Sequence, residues 1–330
     1  MSQPAYPLRF QPLIKQTIWG GEKLGTLLGK PIGPGSDHAE SWEIVDHGDD
    51  QSVVLSGAVA GRSLGELMTA DREWLLGEHA GMPMPSSGFP LLLKYLDCNR
   101  VLSVQVHPDD AYGQAMSPPD LGKTEAWYVV HADPESLIYA GLKSGVDRGQ
   151  LSDAMEAGKT DEVLHSFVAK AGDCVFIPAG TVHALGAGLV IAEIQQSSDT
   201  TFRLFDWNRV GADGNPRPLH MQASLDVTDY QRGPIAARQT PTDQPGWQPL
   251  VACDKFELSS LTSGSAPVGG DHRFHILTVP HGEADLDCDG ETVRLVRGES
   301  VLLPAAAGSC DLTAVQDGTT VLEACLPHPS

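Results

Sequence analysis

The chain has 330 residues, enough for two or three domains with a well-buried core. A hydrophobic fraction of 41% and a charged fraction of 20% are typical of a water-soluble globular protein, and 35 Gly and 24 Pro beside 6% aromatics favour short strands joined by turns. A formal net charge of −21 argues against binding to nucleic acid or to an anionic membrane, because both are polyanions. An anionic ligand would therefore require a local cluster of Arg or Lys.

The six cysteines are widely spread and include no CxxC pair. Most stand in apolar strand-like runs, as in Cys174–Ile177 and Leu322–Leu326. We therefore predict buried thiols in a reducing compartment, and neither a disulfide framework nor a thiolate zinc site. The first 21 residues contain no apolar stretch of signal-peptide length, and no later run is long enough to span a bilayer, so we expect a cytoplasmic protein.

Most of the first 200 residues alternate strand-like pieces with turns. Ser63 and Glu66 fit a capping box that opens a short helix. The one longer helical stretch is an insertion near residues 146–168, predicted as two short helices broken at Gly158, because glycine suits a left-handed C-terminal cap. Strand patterns cover Glu40–Val45, Pro90–Leu96, Leu102–His107, Glu125–Val130, Ser136–Tyr139, Cys174–Ile177 and Leu189–Gln195.

A segment rich in Pro, Gln and Thr, at about residues 231–249, is typical of a linker between domains. Beyond it, short strands recur at regular spacing, which favours an all-β sandwich or barrel. These strands are Phe256–Leu261, His275–Val279, Ala284–Cys288, Thr292–Val296, Ser300–Leu303 and Thr320–Ala324.

One sequence pattern occurs on both sides of this linker. Gly172–His183 has the form G-x5-P-x-G-x2-H, in which a glycine, an apolar strand and a tight turn precede a histidine. Gly298–Ser309 repeats the first glycine, the acidic residue, the strand and the proline, but it has a serine in place of the histidine. We infer two copies of one β unit, of which only the first kept this histidine.

Two strands of the first unit carry polar side chains on one face. In the strand that begins at residue 102, alternation places Ser103, Gln105 and His107 together. Lys123 and Glu125 share a face by the same rule. Burying such a face costs roughly 2–7 kcal/mol per unpaired group, unless a partner such as a metal ion satisfies the polar atoms.

His183 follows a tight turn that would aim its ring into the same barrel mouth. Together with the two strands it completes a four-ligand set, Gln105, His107, Glu125 and His183. Mixed N and O donors suit Zn²⁺ and similar divalent ions, and because three of the ligands are neutral the ion would keep positive charge for a substrate oxygen. The histidines of the second half, His272, His275 and His281, are assigned to an exposed strand and turn.

Six sequence runs stand in the order found in type I phosphomannose isomerases, and the chain resembles that family. These runs are Ile18–Gly21, Glu40–Glu43, Leu91–Asp97, Leu102–Asp110, Gly122–Glu125 and Gly172–His183. The resemblance implies a mainly β fold of two cupin (jelly-roll) β-barrel units, with a short helical segment inserted in the catalytic half. Residues 1–235 would be a catalytic metal-binding cupin domain, and residues 236–330 a degenerate cupin domain without metal ligands.

The resemblance also implies roles for single residues. It makes the four-ligand set above the site of one divalent metal ion per chain, usually zinc in this family. It places Asp199 and Arg203 in the active site, and Ser103 and Arg209 where family members contact the substrate phosphate. The chain departs from longer members because it lacks a large helical insertion before His183 and has a different stretch, residues 204–208, after the arginine.

Arg203 and Arg209 would also satisfy the electrostatic requirement of a strongly acidic protein. A guanidinium suits bidentate recognition of phosphate oxygens, and a local positive charge overcomes the repulsion that the chain as a whole exerts on an anionic substrate. The alternative interpretation is that these arginines form surface ion pairs with Asp199 or Asp206.

The implied reaction is the reversible conversion of mannose 6-phosphate to fructose 6-phosphate through an enediolate. The metal and Lys123 would stabilise negative charge on O1 and O2. Glu193 and Asp199 are candidate bases, and a metal-bound water is a third. Alternatives are a cupin-type glucose-6-phosphate isomerase, a noncatalytic sugar-binding cupin, and an Fe(II) dioxygenase, which Gln105 as a fourth protein ligand disfavours. The partner expected is a small sugar phosphate, and the oligomeric state is not predicted.

Overall fold

The computed structural model describes residues 5–82, 88–210, 214–242 and 244–329. As predicted, the chain is mainly β. The strands of the N-terminal half are β1 (Leu13–Gly21), β2 (His38–Ile44), β3 (Asp46–His47), β4 (Asp50–Gln51), β5 (Leu91–Cys98), β6 (Val104–Val106), β7 (Glu125–Ala132), β8 (Leu137–Leu142), β9 (Leu164–Val168), β10 (Asp173–Ile177), β11 (His183–Leu185), β12 (Leu189–Gln196), β13 (Phe202–Phe205) and β14 (Arg238–Gln239). Each strand predicted in this half coincides with one of them, with small differences at the ends.

Two antiparallel sheets face each other in this half. One has the strand order β1-β2-β5-β12-β7-β10-β14, and the other has the order β13-β6-β11-β8-β9. Apolar side chains from both sheets, including Trp127, Ile138 and Ile191, fill the space between them, because alternation along a strand turns every second side chain inward. At one end of this space the inward side chains become polar, and that end holds the candidate site.

The helices are short and contribute nothing to the core between these two sheets within the described residues. They are α1 (Lys23–Thr26), α2 (Leu64–Ala70), α3 (Arg72–Leu76), α4 (Asp110–Ala115), α5 (Arg148–Glu156) and α6 (Met221–Val227). Leu151 and Met155 of α5 and Leu225 of α6 pack on the outer face of the five-stranded sheet. Among the described residues, no helix has the length and apolar character needed to cross a bilayer.

The predicted capping box at the start of α2 is confirmed. The Ser63 hydroxyl accepts a hydrogen bond from the Glu66 backbone N–H at 3.1 Å, and the Glu66 carboxylate accepts one from the Ser63 N–H at 2.8 Å. We expect Ser63→Ala to lower the free energy of unfolding by about 1 kcal/mol, because the Glu66 backbone N–H loses the hydroxyl that accepts its hydrogen bond. Denaturant unfolding should show this loss for Ser63→Ala and little change for Ser63→Asp, and equal stability of wild type and Ser63→Ala would contradict the assignment.

The helical insertion predicted near residues 146–168 is only partly present. Helix α5 ends at Glu156, and Gly158 has the left-handed φ of +66° that the predicted break requires. Beyond the glycine the chain forms a single 3-10 turn (Thr160–Val163) and then strand β9. The second predicted helix is wrong because β9 pairs with β8, and this tertiary pairing overrides the local pattern.

The C-terminal half repeats the arrangement of two facing sheets. Its strands are β15 (Gln248–Ala252), β16 (Glu257–Leu261), β17 (Ser265–Val268), β18 (His275–His281), β19 (Glu283–Cys288), β20 (Glu291–Val296), β21 (Ser300–Leu303), β22 (Cys310–Ala314) and β23 (Thr320–Cys325). The sheets have the orders β15-β16-β23-β18-β21 and β17-β22-β19-β20. All six predicted strands are confirmed, while β15, β17 and β22 were not predicted. Within the described residues each half consists of separate sheets, so closure into barrel units stays a prediction.

The two halves meet through a continuous apolar layer. Leu93 and Ala192, on the outer face of the seven-stranded sheet, share one cluster with Leu258, Ile276 and Leu322 of the C-terminal five-stranded sheet. The predicted linker is also partly structured, because β14 pairs with β10 at the edge of the N-terminal sheet. Residue 243 of that segment lies outside the described residues.

The cysteines depart from prediction at one pair. Cys288 and Cys310 form a disulfide, with Cα atoms 4.5 Å apart, so the prediction that all six are free is wrong for these two. They lie on the neighbouring strands β19 and β22, a pairing that the sequence did not reveal because β22 was not predicted. The free cysteines are Cys98, Cys174, Cys253 and Cys325, and all but Cys253 are buried as predicted.

His275 also differs from the predicted exposed strand and turn. It is only 4% exposed, at the start of β18. Its Nδ1 lies 2.7 Å from Glu323 Oε1, and its Nε2 lies 2.9 Å from Asp271 Oδ1. Burial alone would lower the pKa of His275, but the two carboxylates raise it to about 9. The C-terminal half therefore contains a buried polar cluster that the sequence did not predict.

Candidate active site

Strand pairing collects the predicted site residues at one end of the two N-terminal sheets. In the five-stranded sheet, β6 lies between β11 and β13, and the register sets Gln105 directly between His183 and Arg203. Val104 and Val106 turn to the opposite face, where they join the core beneath the helices, as the predicted alternation requires. Glu125 faces this group from the first position of β7 in the opposite sheet.

The structure brings His107, Glu125 and His183 together as a possible metal-binding group. Glu125 Oε1 lies 3.2 Å from His107 Nε2, and Glu125 Oε2 lies 3.8 Å from His183 Nε2. All three side chains are almost completely buried. Gln105 lines the same cavity, and its Nε2 donates to the Ser103 hydroxyl at 3.2 Å, which leaves its Oε1 as the ligand atom.

The two histidines are held in one tautomer by backbone carbonyls. His107 Nδ1 lies 3.0 Å from the Thr200 carbonyl oxygen, and His183 Nδ1 lies 2.9 Å from that of Thr181. A carbonyl oxygen only accepts hydrogen bonds, so each Nδ1 carries the proton and each Nε2 presents its lone pair toward Glu125. Backbone carbonyls orient metal-bound imidazoles in the same way, by accepting a hydrogen bond from the nitrogen that does not bind the metal.

The protonation and hydrogen bonding of these residues fit a bound cation. Burial, with a smaller contribution from the Lys123 ammonium, lowers the pKa of His107 to about 3, and burial also lowers the pKa of His183. Both rings are therefore neutral, as metal ligands must be. No hydrogen-bond donor from the described residues reaches Glu125 Oε2, although that oxygen is buried. A divalent ion between the three residues would satisfy it.

A chain of buried charges of alternating sign forms the floor of the site. Lys94 Nζ lies 3.3 Å from Glu40 Oε2 and 3.2 Å from Glu193 Oε1, and Lys123 Nζ lies 2.9 Å from Glu125 Oε1. Burial lowers the pKa of Lys94, but the neighbouring carboxylates, first Glu193 and then Glu40, raise it by more. Lys94 therefore stays charged. Burial and the Glu125 charge raise the pKa of Glu193 above its usual range. Both pKa values are raised, which favours the charged form of Lys94 but the neutral form of Glu193, because Lys94 has a second carboxylate partner whereas Glu193 lies near the Glu125 charge.

A cluster of arginines stands at the mouth of the site. Arg203 Nε donates to the Ser103 hydroxyl at 3.3 Å, and Arg203 forms no ion pair with Asp199. Both nitrogens of the Arg217 fork donate to the Asp206 carboxylate, at 2.7 and 2.6 Å. Arg209 also donates to Asp206, as the ion-pair interpretation of the sequence predicted. Three guanidiniums around one carboxylate leave a net positive charge here.

The residues of the floor and the mouth enclose a cavity of about 310 Å³. This volume is at the lower end of the range for small-molecule sites. Its lining includes every predicted metal ligand, together with Lys123, Glu193, Asp199, Ser103 and Arg203. A larger cavity of about 630 Å³ lies behind Thr124 and Gly180, but its lining includes no predicted metal ligand. The smaller cavity is therefore the candidate active site.

Comparisons with known proteins agree with this geometry. A family model described as phosphomannose isomerase type I, catalytic domain, matches residues 8–135. The mannose-6-phosphate isomerase ManA of Bacillus subtilis (strain 168) is 34% identical over 309 residues, which are 93% of this chain and 95% of that protein. The mannose-6-phosphate isomerase of Streptococcus mutans is 36% identical over 309 residues, with 91% and 93% covered. This chain belongs to the phosphomannose isomerase family.

Solved structures place the whole chain in the same fold. The crystal structure of the mannose 6-phosphate isomerase from Bacillus subtilis matches with a TM-score of 0.86 at 29% identity, over 97% of this chain and 99% of that one. A putative mannosephosphate isomerase from Archaeoglobus fulgidus matches with a TM-score of 0.78 at 24% identity, over 99% and 100%. The second likeness concerns the fold alone.

Three residues of this phosphomannose isomerase site were not assigned from the sequence. Glu40, Lys94 and Arg217 line the cavity beside the predicted residues. Lys94 gave a signal, because it is the only charge in an otherwise apolar strand segment, Pro90–Leu96. Arg217 gave none, because it stands in a segment with no strand or helix pattern. Arg209 was predicted to contact phosphate, but its guanidinium donates to the Val101 carbonyl and to Asp206.

Proposed function

We propose that this chain is a metal-dependent mannose-6-phosphate isomerase, which interconverts mannose 6-phosphate and fructose 6-phosphate through an enediolate. The observation that carries the proposal is the donor set of His107, Glu125 and His183. The Nε2 lone pairs of the two histidines face the buried carboxylate of Glu125, beside Lys123 and Glu193. The reaction makes this enzyme an aldose–ketose isomerase. A glucose-6-phosphate isomerase or a noncatalytic sugar-binding protein is not favoured, because the relatives are mannose-6-phosphate isomerases.

The proposal includes the domain organisation and the location. Residues 1–235 form the catalytic cupin unit, and residues 236–330 form a second unit derived from the same ancestor, which the repeated glycine–strand–proline pattern supports. A cytoplasmic location is part of the proposal. Four free cysteines support this location, whereas the Cys288–Cys310 disulfide argues against it, because disulfides are rare in reducing compartments.

One divalent ion, Zn²⁺ by its ligand preferences, is held by Gln105, His107, Glu125 and His183 in this proposal. When bound, the ion supplies Lewis-acid stabilisation of negative charge on a substrate oxygen. Lys123 adds a second positive charge at the same place, because its ammonium lies 2.9 Å from Glu125 and 3.5 Å from His107 Nε2. Lys123 and Glu125 are both buried, so electrostatic interactions at this place are stronger than they would be in water.

Proton transfer is assigned to Glu193. Its raised pKa makes it a better proton acceptor than an ordinary carboxylate, and its side chain is buried in the cavity wall. In the open-chain aldose it takes the proton from C2 and leaves an enediolate, and a proton returned to C1 gives the ketose. Lys94, 3.2 Å away, positions the carboxylate. Asp199, an exposed residue of the same lining, is the alternative base.

The substrate phosphate is assigned to Arg203 and Ser103 at the mouth of the cavity. Arg217, which lines the same mouth, joins them in this proposal. Arg209 is kept as a supporting residue, because together with Arg217 it binds Asp206 and raises the local positive charge. Such concentrated charge is what a protein of net charge −21 needs in order to bind an anion.

Replacement of Arg203 by alanine tests the phosphate contact. We expect kcat/KM for mannose 6-phosphate to fall about 10- to 100-fold, because a charge-assisted hydrogen bond is worth roughly 1.5–3 kcal/mol. Part of the loss should appear in kcat, since the phosphate also positions C1 and C2. Arg148→Ala, which removes an exposed arginine paired with Asp226, is the matched control and should leave the kinetics unchanged. Unchanged kinetics in Arg203→Ala would rule out the phosphate role.

A direct assay tests the proposed function as a whole. The purified protein should convert mannose 6-phosphate to fructose 6-phosphate, lose this activity on chelation, and regain it when Zn²⁺ is restored. Mannose without phosphate should be a poor substrate, because the arginine cluster has nothing to bind. Preference for glucose 6-phosphate over mannose 6-phosphate, or full activity in a metal-free sample, would contradict the proposal.

A further inference from the structure

A second group of metal-ligand side chains lies in the C-terminal half. His275, Glu323 and Cys325 each offer a donor atom, and these atoms all lie within 4.8 Å of one another. His275 and Cys325 are almost completely buried, at 4% and 2% exposure. The sequence predicted no metal ligand in this half, because Ser309 replaces the histidine of the first unit and His275 was assigned to an exposed strand and turn.

The strand registers place this group where the catalytic half has its own site. In the N-terminal repeat, Ile177 pairs with the metal-ligand candidate Glu125. In the C-terminal repeat, Leu303 pairs with His275. Ile177 and Leu303 correspond, because each stands five residues after the first glycine of its repeat. His275 therefore occupies the strand position of Glu125.

The neighbouring strand gives the same correspondence. Glu125 pairs with Gln195 of β12, two residues beyond Glu193. The β18–β23 register sets Ile276 opposite Ala324, so the next step brings His275 beside Cys325, again two residues beyond a glutamate, Glu323. The cluster is thus the counterpart in the second unit of the catalytic floor, with a different donor set.

The net negative charge around the cluster favours the binding of a divalent cation. Three carboxylates, those of Glu257, Asp271 and Glu323, stand here against a single guanidinium, that of Arg273. With His275 protonated between Glu323 and Asp271 the group carries a net charge of −1, and a divalent ion would take the place of the imidazolium proton between the ring and its carboxylate partners. The Asp271 and Glu257 side chains are 32% and 40% exposed, so the cluster is open to solvent on that side.

We infer that the C-terminal half binds a second divalent metal ion of the zinc class through His275, Glu323 and Cys325, with Asp271 or Glu257 completing the site. The sulfur donor selects zinc-like ions over Mg²⁺ and Ca²⁺, which prefer oxygen ligands. On binding, the Cys325 thiol and the His275 imidazolium each release one proton to solvent, and they ligate as a thiolate and a neutral imidazole. One nitrogen of His275 binds the ion while the other donates to a carboxylate, as in carboxylate–histidine–zinc arrangements.

The proposal raises the expected metal content of the chain from one ion to two, and it does not depend on the isomerase function. Substitution of Co²⁺ into metal-free full-length protein tests it. A cobalt–thiolate bond gives a near-ultraviolet charge-transfer band, whereas the catalytic donor set has only nitrogen and oxygen ligands and gives none. We expect two Co²⁺ per chain by elemental analysis, together with this band.

Three variants separate the two sites. Cys325→Ser should lose the band and one ion per chain, and Glu323→Gln should weaken cobalt binding at this site even if Cys325→Ser folds poorly. His183→Ala should keep the band while losing the other ion. Cys253→Ser, which removes a partly exposed free cysteine of the same half, is the matched control and should keep both ions and the band. A single ion per chain without a thiolate band in the wild type would overturn the inference and leave the cluster as an ion-pair network.

Discussion

Replacing His183 with alanine should reduce isomerase activity to the background level and remove the metal ion from the catalytic half. The ring is buried, its Nδ1 is fixed by the Thr181 carbonyl, and its Nε2 faces Glu125. Without it the ion would lose one of its two neutral nitrogen donors, and apart from His107 no described histidine lines this cavity. Loss of one ligand from a four-ligand set leaves a site too weak to retain its ion through purification.

The fold should survive this substitution. The apolar layer between the two sheets is formed by other side chains, such as Trp127 and Ile191, and His183 stands at its polar end. Circular dichroism and thermal unfolding should therefore show a native chain, while elemental analysis shows the loss of one ion. The matched control is His131→Ala, which removes a partly exposed histidine paired with Asp133 and should keep both activity and metal. If His183→Ala retains the catalytic ion and normal turnover, His183 is a structural residue and the site assignment fails.

Glu193→Gln should lower kcat by about 10²- to 10⁴-fold, the usual contribution of a general base. The amide has nearly the same shape but cannot accept the C2 proton, whereas the carboxylate has a pKa raised by burial and by Glu125. Because Glu193 is not among the metal ligands in this proposal, the metal content of the variant should stay that of the wild type. Exchange of the C2 hydrogen of mannose 6-phosphate with solvent deuterium should fall in parallel with turnover.

The same measurements on Asp199→Asn decide between the two candidate bases. Asp199 is exposed at the mouth of the cavity, so we expect a loss of less than about tenfold in kcat and continued exchange at C2. A larger loss in Asp199→Asn than in Glu193→Gln would transfer the role to Asp199. Retention of solvent exchange in Glu193→Gln would also show that Glu193 is not the base, even if turnover were slow. Exchange reports proton removal rather than product release.

Local sequence patterns determined the parts of the site that lie within single strands and turns. Alternation along the strand after residue 102 set Gln105 and His107 on one face, and it set Lys123 and Glu125 together in the next. The capping box at Ser63 and the mainly β character of both halves followed from the same kind of local signal. These features depend on residues a few positions apart. The alternation of side chains along a strand and the capping pattern of a helix are therefore enough to predict them.

Only the tertiary structure decided which of these pieces face one another. The register of β6 with β11 and β13 brings Gln105 beside His183 and Arg203, although long stretches of chain separate them. The same kind of pairing changed a predicted helix into β9 and joined Cys288 to Cys310.

The C-terminal group of His275, Glu323 and Cys325 shows the same limit most clearly. His275, Glu323 and Cys325 carry no common motif, and each is an ordinary residue of a short strand. They meet because β18 and β23 are neighbours in one sheet. Strand order and register are fixed by which apolar faces can be buried together over the whole chain, and a local window of sequence does not contain that information.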